Sequence, residues 1–156
     1  AIEGDKELLR ARVIRRLRQV MNLGKRYDVK VLIENVGLRT KNNVLFDLPE
    51  YVALFDIFPQ AGALLDTGHA HVNGWDIPAV VKALGERLAA CHVHDNDGNG
   101  DAHLPVGQGD IDWKAYFGAV KKYVPQATQV FEYCCGFNNT KDLEAHIAEL
   151  KEDYKL

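Results

Sequence analysis

The sequence predicts an α/β fold, the C-terminal half of a (β/α)8 barrel: one helix followed by four βα units with parallel strands. Three observations carry this. Short apolar runs alternate with capped helical stretches four times along 156 residues, the pattern of a parallel sheet with right-handed crossovers. Four units are half of an eight-unit barrel, which typically needs ~250 residues. Each run also closes on an acid or a histidine: Glu34, Asp66, His92 and Glu132. In such barrels the C-terminal strand ends are where residues from several strands converge on chemistry.

The elements follow in order within one domain, 1–156. Residues 5–26 read as an amphipathic helix, with Leu9, Val13, Leu17, Val20 and Gly24 at inward spacing and Asp5 as N-cap. Its other face carries Arg10, Arg12, Arg15, Arg16 and Arg18, read as a solvated face. The first unit spans about 28–58. Its strand, Val29–Asn35, is almost continuously apolar, as strands covered on both faces are. Asp47-Leu-Pro-Glu50 supplies a cap, an early proline and a capping-box acid. The second unit, 62–87, has the strand Gly62–Asp66 and a helix starting at Asp76-Ile-Pro78. The third, 88–124, has the strand Leu88–His94, a Gly/Asp/Asn-rich loop and a helix from Asp112. The fourth, 127–154, has the strand Thr128–Tyr133 and a helix from about Asn139.

Composition narrows the function. With 47% apolar and 26% charged residues the chain reads as a soluble globular domain. A net charge of -3 argues against a nucleic-acid partner, which selects for basic surplus. No apolar run approaches ~20 residues, so no membrane span is expected. No signal peptide opens the chain. The cysteines, Cys91, Cys134 and Cys135, fall in strand contexts and form no disulfide framework; buried reduced thiols in a cytoplasmic protein are the expectation.

An unpaired buried carboxylate is costly. Glu34 and Glu132, each inside an apolar strand end, therefore need a partner: a metal, or an arginine in a salt bridge. With Asp66 they place about three negative charges in one pocket, unstable without a cation. Asp66 ends a strand that continues as a loop, so no helix cap is expected there, and His69 sits above it. In His92-Val-His94-Asp95, strand alternation turns His92 inward as a ligand. His94 is either a core histidine or a functional one, and Asp95 a carboxylate that orients a ligating imidazole. Glu34, Asp66, His92 and Glu132 make a mostly oxygen set. It favours Mn²⁺ or Mg²⁺, with Zn²⁺ and Co²⁺ compatible. Asp101-Ala-His103 follows a glycine-rich loop and reads as a lid or a second metal pair; His71 and His146 read as surface or helix residues.

At Leu32-Ile-Glu34-Asn, Leu65-Asp66-Thr-Gly-His69, His92-Val-His94-Asp95, Asp101-Ala-His103-Leu-Pro-Val-Gly107-Gln-Gly109 and Phe131-Glu132 the chain resembles the xylose isomerase-like barrel superfamily. That group holds sugar isomerases, ketose 3-epimerases and type IV apurinic endonucleases. The resemblance implies one divalent metal on Glu34, Asp66, His92 and Glu132. It implies proton transfer by Glu34 and Glu132 through an enediolate, and sugar contacts from His69, Asp101 and His103. The arginine that ketose 3-epimerases carry after the strand histidine is replaced by Asp97-Gly-Asn-Gly. Asp101 and His103 resemble a pair that holds an additional zinc in the endonucleases, whose further histidines come from an N-terminal half. A sugar isomerase or epimerase is thus the expected function. The alternatives are an abasic-site phosphodiesterase and a non-catalytic half-barrel. Open strand edges imply a homo-oligomer or a second half-barrel as partner.

Overall fold

A computed structural model describes residues 5–155. Helix α1 (Lys6–Tyr27) starts at Asp5, whose side chain accepts from the Glu7 amide, and leads to strand β1 (Leu32–Glu34). Helix α2 (Leu48–Ile57) opens with the expected Asp47/Glu50 capping box. Then come β2 (Gly62–Asp66), the short helix α3 (Thr67–Val72) and α4 (Ile77–Leu84). Strand β3 (Leu88–Val93), α5 (Trp113–Tyr123), β4 (Thr128–Phe131) and α6 (Thr140–Tyr154) complete the order. The four strands form one parallel sheet in the order β1-β2-β3-β4, each paired with its sequence neighbour. Among the described residues no helix is long and apolar enough to cross a membrane.

Helices cover one face of the sheet. Ala63, Leu65, Cys91 and Val93 point to that side and are fully buried, beside Phe55, Val80, Val81, Tyr116 and Phe117 from the helices. The Tyr51 hydroxyl donates within this core, 2.8 Å from the Leu64 carbonyl and 3.0 Å from that of Ile33, joining β1 to β2. The alternate positions, Leu32, Glu34, Leu64, His92 and Val130, occupy the other face, which is only half covered; Val130 is 43% exposed. Two-sided burial of the strands, as a closed barrel would give, is therefore met on one side.

Four expectations need correction. In α1 the buried residues are Met21 and Gly24, with Ile14 and Leu17 against the core, while Val20 is 44% exposed. The stripe follows i, i+3, i+7, i+10 through Ile14, Leu17, Met21 and Gly24, sharing Leu17 and Gly24 with the expected one and turning Val20 outward. Strands β1 and β4 are shorter than read, so Glu132 lies just beyond its strand. Residues 67–72 are a helix rather than a loop, and Asp66 is its N-cap after all, accepting from the His69 amide at 2.7 Å. Only Cys91 is buried; Cys134 and Cys135 lie in the bend after β4 and are exposed.

Candidate metal centre

The register of β2 and β3 sets Asp66 directly beside His92. Asn35 then fixes the β1 side. Its amide donates to the Asp66 carbonyl at 3.0 Å, and its carbonyl accepts from the Asp66 amide at 2.7 Å. One buried side chain thus extends the β1–β2 ladder by a pseudo-peptide and holds Asp66 in place. Thr67 does the same across β2 and β3. Its hydroxyl lies 3.1 and 3.0 Å from the carbonyls of His92 and His94 and accepts from the His94 amide. Sequence reasoning missed both residues; the signal was a small polar side chain beside each strand-end acid, in Glu34-Asn35 and Asp66-Thr67.

These restraints bring ligating atoms together. One atom each from Glu34, Asp66 and His92 lies within 4.8 Å of the others. The Nδ1 of His92 is 3.8 Å from Glu34 Oε1, 3.8 Å from Asp66 Oδ2 and 3.2 Å from Glu132 Oε2. Glu132 also groups with Asp66 and His94. Among the described residues the ion pairs of arginine lie elsewhere, at Glu50, Asp47 and Asp56, so the salt-bridge alternative for Glu34 and Glu132 finds no arginine here. Burial first, then the charges of Asp66 and Glu132, push the Glu34 carboxyl above its usual pKa, against the pull of His92 and His69. A carboxylate made reluctant to ionise by its neighbours is what a cation would relieve. The donor set and its crowding fit a divalent metal.

His94 is wholly buried on the same face as His92. Its Nε2–H donates to Asp66 Oδ2 at 3.1 Å. Burial opposes its charged form, but the Asp66 hydrogen bond and charge, with Asp101 and Glu132, hold its pKa above the usual value. Asp66 shifts the opposite way: burial raises it, and the partnership with His94, with His69 behind it, wins and lowers it. The Nδ1 of His94 is buried without a hydrogen-bond partner, as is Oδ1 of Asp101.

The loop after β3 returns over the site. Asp95 and Leu104 exchange backbone hydrogen bonds of 2.7 and 3.0 Å and close its base. The buried Asp95 carboxylate accepts from the amides of Asn96 and Gly107 and from the Trp113 indole at 2.7 Å. It pins this loop and touches no imidazole, contrary to its expected role, because strand alternation sends it to the helix side. Above the base, Asp101 Oδ2 lies 3.2 Å from His69 Nε2 and 3.3 Å from His103 Nε2. His69 Nδ1 reaches the Asn35 carbonyl at 3.1 Å and lies 3.6 Å from Glu34. The rings of His94 and His103 stack at 3.8 Å, and His94, Asp101 and His103 form a further group of ligating atoms within 4.8 Å. Outside the site, His71 pairs with Asp110 at 2.6 Å and His146 lies near the Tyr133 hydroxyl.

A family model described as a xylose isomerase-like TIM barrel matches residues 3–152. Two uncharacterised proteins of Methanocaldococcus jannaschii are similar. One is 29% identical over 70% of this chain and 42% of its own length, the other 30% identical over 62% and 34%. An uncharacterised protein of Sinorhizobium fredii is 32% identical over 60% of this chain and 30% of its own. The chain spans less than half the length of these curated relatives. Two solved structures share the fold. A D-tagatose 3-epimerase-like protein superposes with a TM-score of 0.70 at 23% identity, over 90% of this chain and 52% of that one. A D-psicose 3-epimerase crystallised with D-fructose gives 0.77 at 17% identity, over 97% and 58%.

Proposed function

This chain belongs to the xylose isomerase-like TIM barrel family, and from that premise we propose that it is the metal-binding half, residues 1–156, of a sugar isomerase or epimerase barrel. The observation that carries the reading is the convergence of Glu34, Asp66 and His92 on one point, with Glu132 against His92. These four residues would hold one divalent cation, Mn²⁺ or Mg²⁺ by their oxygen-rich chemistry. When bound, the cation supplies charge stabilisation to a developing oxyanion without moving protons. The proton work falls to the glutamates. Glu34 closes one outer strand and Glu132 lies just past the other, on either side of Asp66 and His92. One carboxylate removes the proton from the carbon beside the sugar carbonyl, giving an enediolate; the other, protonated, returns a proton to the opposite face or the neighbouring carbon. The raised pKa of Glu34 suits a group that must both take and give a proton. His69, Asp101 and His103 present donors and acceptors to sugar hydroxyls. The open edges at β1 and β4 meet further barrel strands, from a longer polypeptide or from a second half-barrel such as another copy of the chain. Incubation of the Mn²⁺-loaded protein with a ketose in D₂O tests the reading. Deuterium should enter at the carbon beside the carbonyl, and either Glu34→Gln or Glu132→Gln should stop it; unaltered uptake in both variants would remove the glutamates from the reaction.

A second reading, phosphodiester cleavage at abasic sites, is favoured by one observation. The unpartnered His94 Nδ1 and Asp101 Oδ1, with His103, offer a further ligand group beside the first. Stoichiometry separates the two: one cation per chain supports the isomerase, and two or more support the phosphodiesterase.

A further inference from the structure

Cys134 and Cys135 are adjacent, exposed and free. They sit in the bend between Glu132 and α6 and, with Phe131, Tyr133, Phe137 and Leu143, line an open groove of about 660 Å³. In an extended strand neighbouring side chains point apart, but residues 134–136 bend instead of continuing the strand, and that alternation is broken here. Contact with the Cys134 thiol is the first cause that pushes the Cys135 thiol above its usual pKa. The bend is held against the loop that carries Asp101 and His103. The Cys134 amide donates to the His103 carbonyl at 3.1 Å, and the Cys134 thiol donates to the Ala102 carbonyl at 3.2 Å. Gly136 follows at φ 96°, and a side chain there would run into the Pro105 ring.

We propose that Cys134 and Cys135 are a modification site, a dithiol that low-molecular-weight disulfides close into a vicinal disulfide at the rim of the candidate metal centre. One thiolate attacks the small disulfide RSSR, forming a mixed disulfide and releasing RS⁻. The neighbouring sulfur, having given up its proton, displaces the second RS⁻ and forms the Sγ–Sγ bond. The chain loses two protons and two electrons, and RSSR leaves as two RSH. Adjacent Cα atoms are ~3.8 Å apart, shorter than the ~4.4–6.8 Å of ordinary disulfides, so the bond is strained and easily reduced. Reversibility is therefore built into the spacing. Oxidation also removes the S–H that holds the Ala102 carbonyl, freeing one of the ties on the Asp101–His103 loop. Cys91, buried under Tyr116, takes no part.

The chemistry needs no cation, so its test stands apart from metal content. The native chain is incubated in dilute solution with excess oxidised glutathione, quenched with acid and digested with trypsin. The peptide Tyr123–Lys141 holds both cysteines. It should lose the mass of two hydrogens with no glutathione attached, two of the three thiols should vanish, and dithiothreitol should restore both. Cys134→Ser and Cys135→Ser should each stop at a single glutathione adduct, since the displacing sulfur is gone. Stable glutathione adducts on the unaltered chain, disulfide-linked dimers, or thiols left unreacted would each overturn the assignment.

Discussion

The imidazole of His94 occupies the space that a side chain at position 68 would take. His94, just past β3, and Gly68 in the first turn of α3 are thus a matched pair, with His94 held 3.1 Å from Asp66. Gly68→Ala forces a methyl group into the ring, which is fully buried. Overpacking of this kind costs about 1–3 kcal/mol. A urea unfolding midpoint that falls accordingly, with a weakened pH dependence as His94 leaves Asp66, is the expected result; an alanine variant as stable as the parent would show the contact to be loose.

Asn35→Ala removes the pseudo-peptide that holds Asp66. It leaves a buried amide and carbonyl of Asp66 without partners, a cost of about 1–3 kcal/mol. Divalent-cation affinity should fall about 10–100-fold, as losses around metal ligands do. Calorimetric titration with Mn²⁺ reads the effect, and undiminished affinity would mean that Asp66 is positioned without Asn35.

Asp95→Asn keeps the shape of the side chain and removes the charge that gathers the Trp113 indole and the Gly107 and Asn96 amides. Hydrogen bonds to a charged group are worth about 1.5–3 kcal/mol, so a drop in melting temperature and a changed Trp113 emission are expected. Preserved stability would place the strength of the loop in its backbone bridge to Leu104.

Much of this architecture was legible. Caps at Asp5, Asp47 and Asp76 announced their helices, because each supplies a local oxygen to free amides, and the starts read at Asp112 and Asn139 prove to be caps as well. Strand alternation turned His92 inward, and the place of Glu34, Asp66 and Glu132 at successive strand ends grouped them with it before any register was known. The misses have a common cause. Asp66 does two things at once, capping α3 with Oδ1 and facing His94 with Oδ2, and the sequence offers no way to see a carboxylate divided between roles. Asn35 and Thr67 act across strands, so their partners are set by register rather than by neighbours in the chain. The cysteines after β4 read as strand residues because the strand ends at Phe131 while apolar residues continue to Cys135.

In the metal-free chain the candidate site brings three shifted groups to the pH dependence of stability. Asp66 has a depressed pKa, so its contribution is present above the unfolded carboxylate value and is lost as pH falls through the folded one. His94 has a raised pKa, so its contribution is full below the unfolded histidine value and is lost as pH rises through the folded one. Glu34, also raised, favours folding only while protonated. The stabilising range therefore lies between about 3.9 and 6.5, the unfolded values of Asp and His. Denaturation midpoints at pH 5.5 and pH 8 in the presence of a chelator check this. The midpoint should be higher at pH 5.5, and His94→Gln should shrink the difference; a higher midpoint at pH 8 would reverse the sign of the account.

Elemental analysis of the purified chain and of Glu34→Gln and Glu132→Gln, each paired with a melting curve before and after chelation, addresses the shared-cation site most directly. The unaltered chain should carry one divalent ion. Either substitution should lower that occupancy, and Glu34→Gln should stabilise the chelated form by no more than about 1 kcal/mol, since solvent screens part of the repulsion. Unchanged occupancy in both variants, or a chelated form that Glu34→Gln destabilises, would contradict the site.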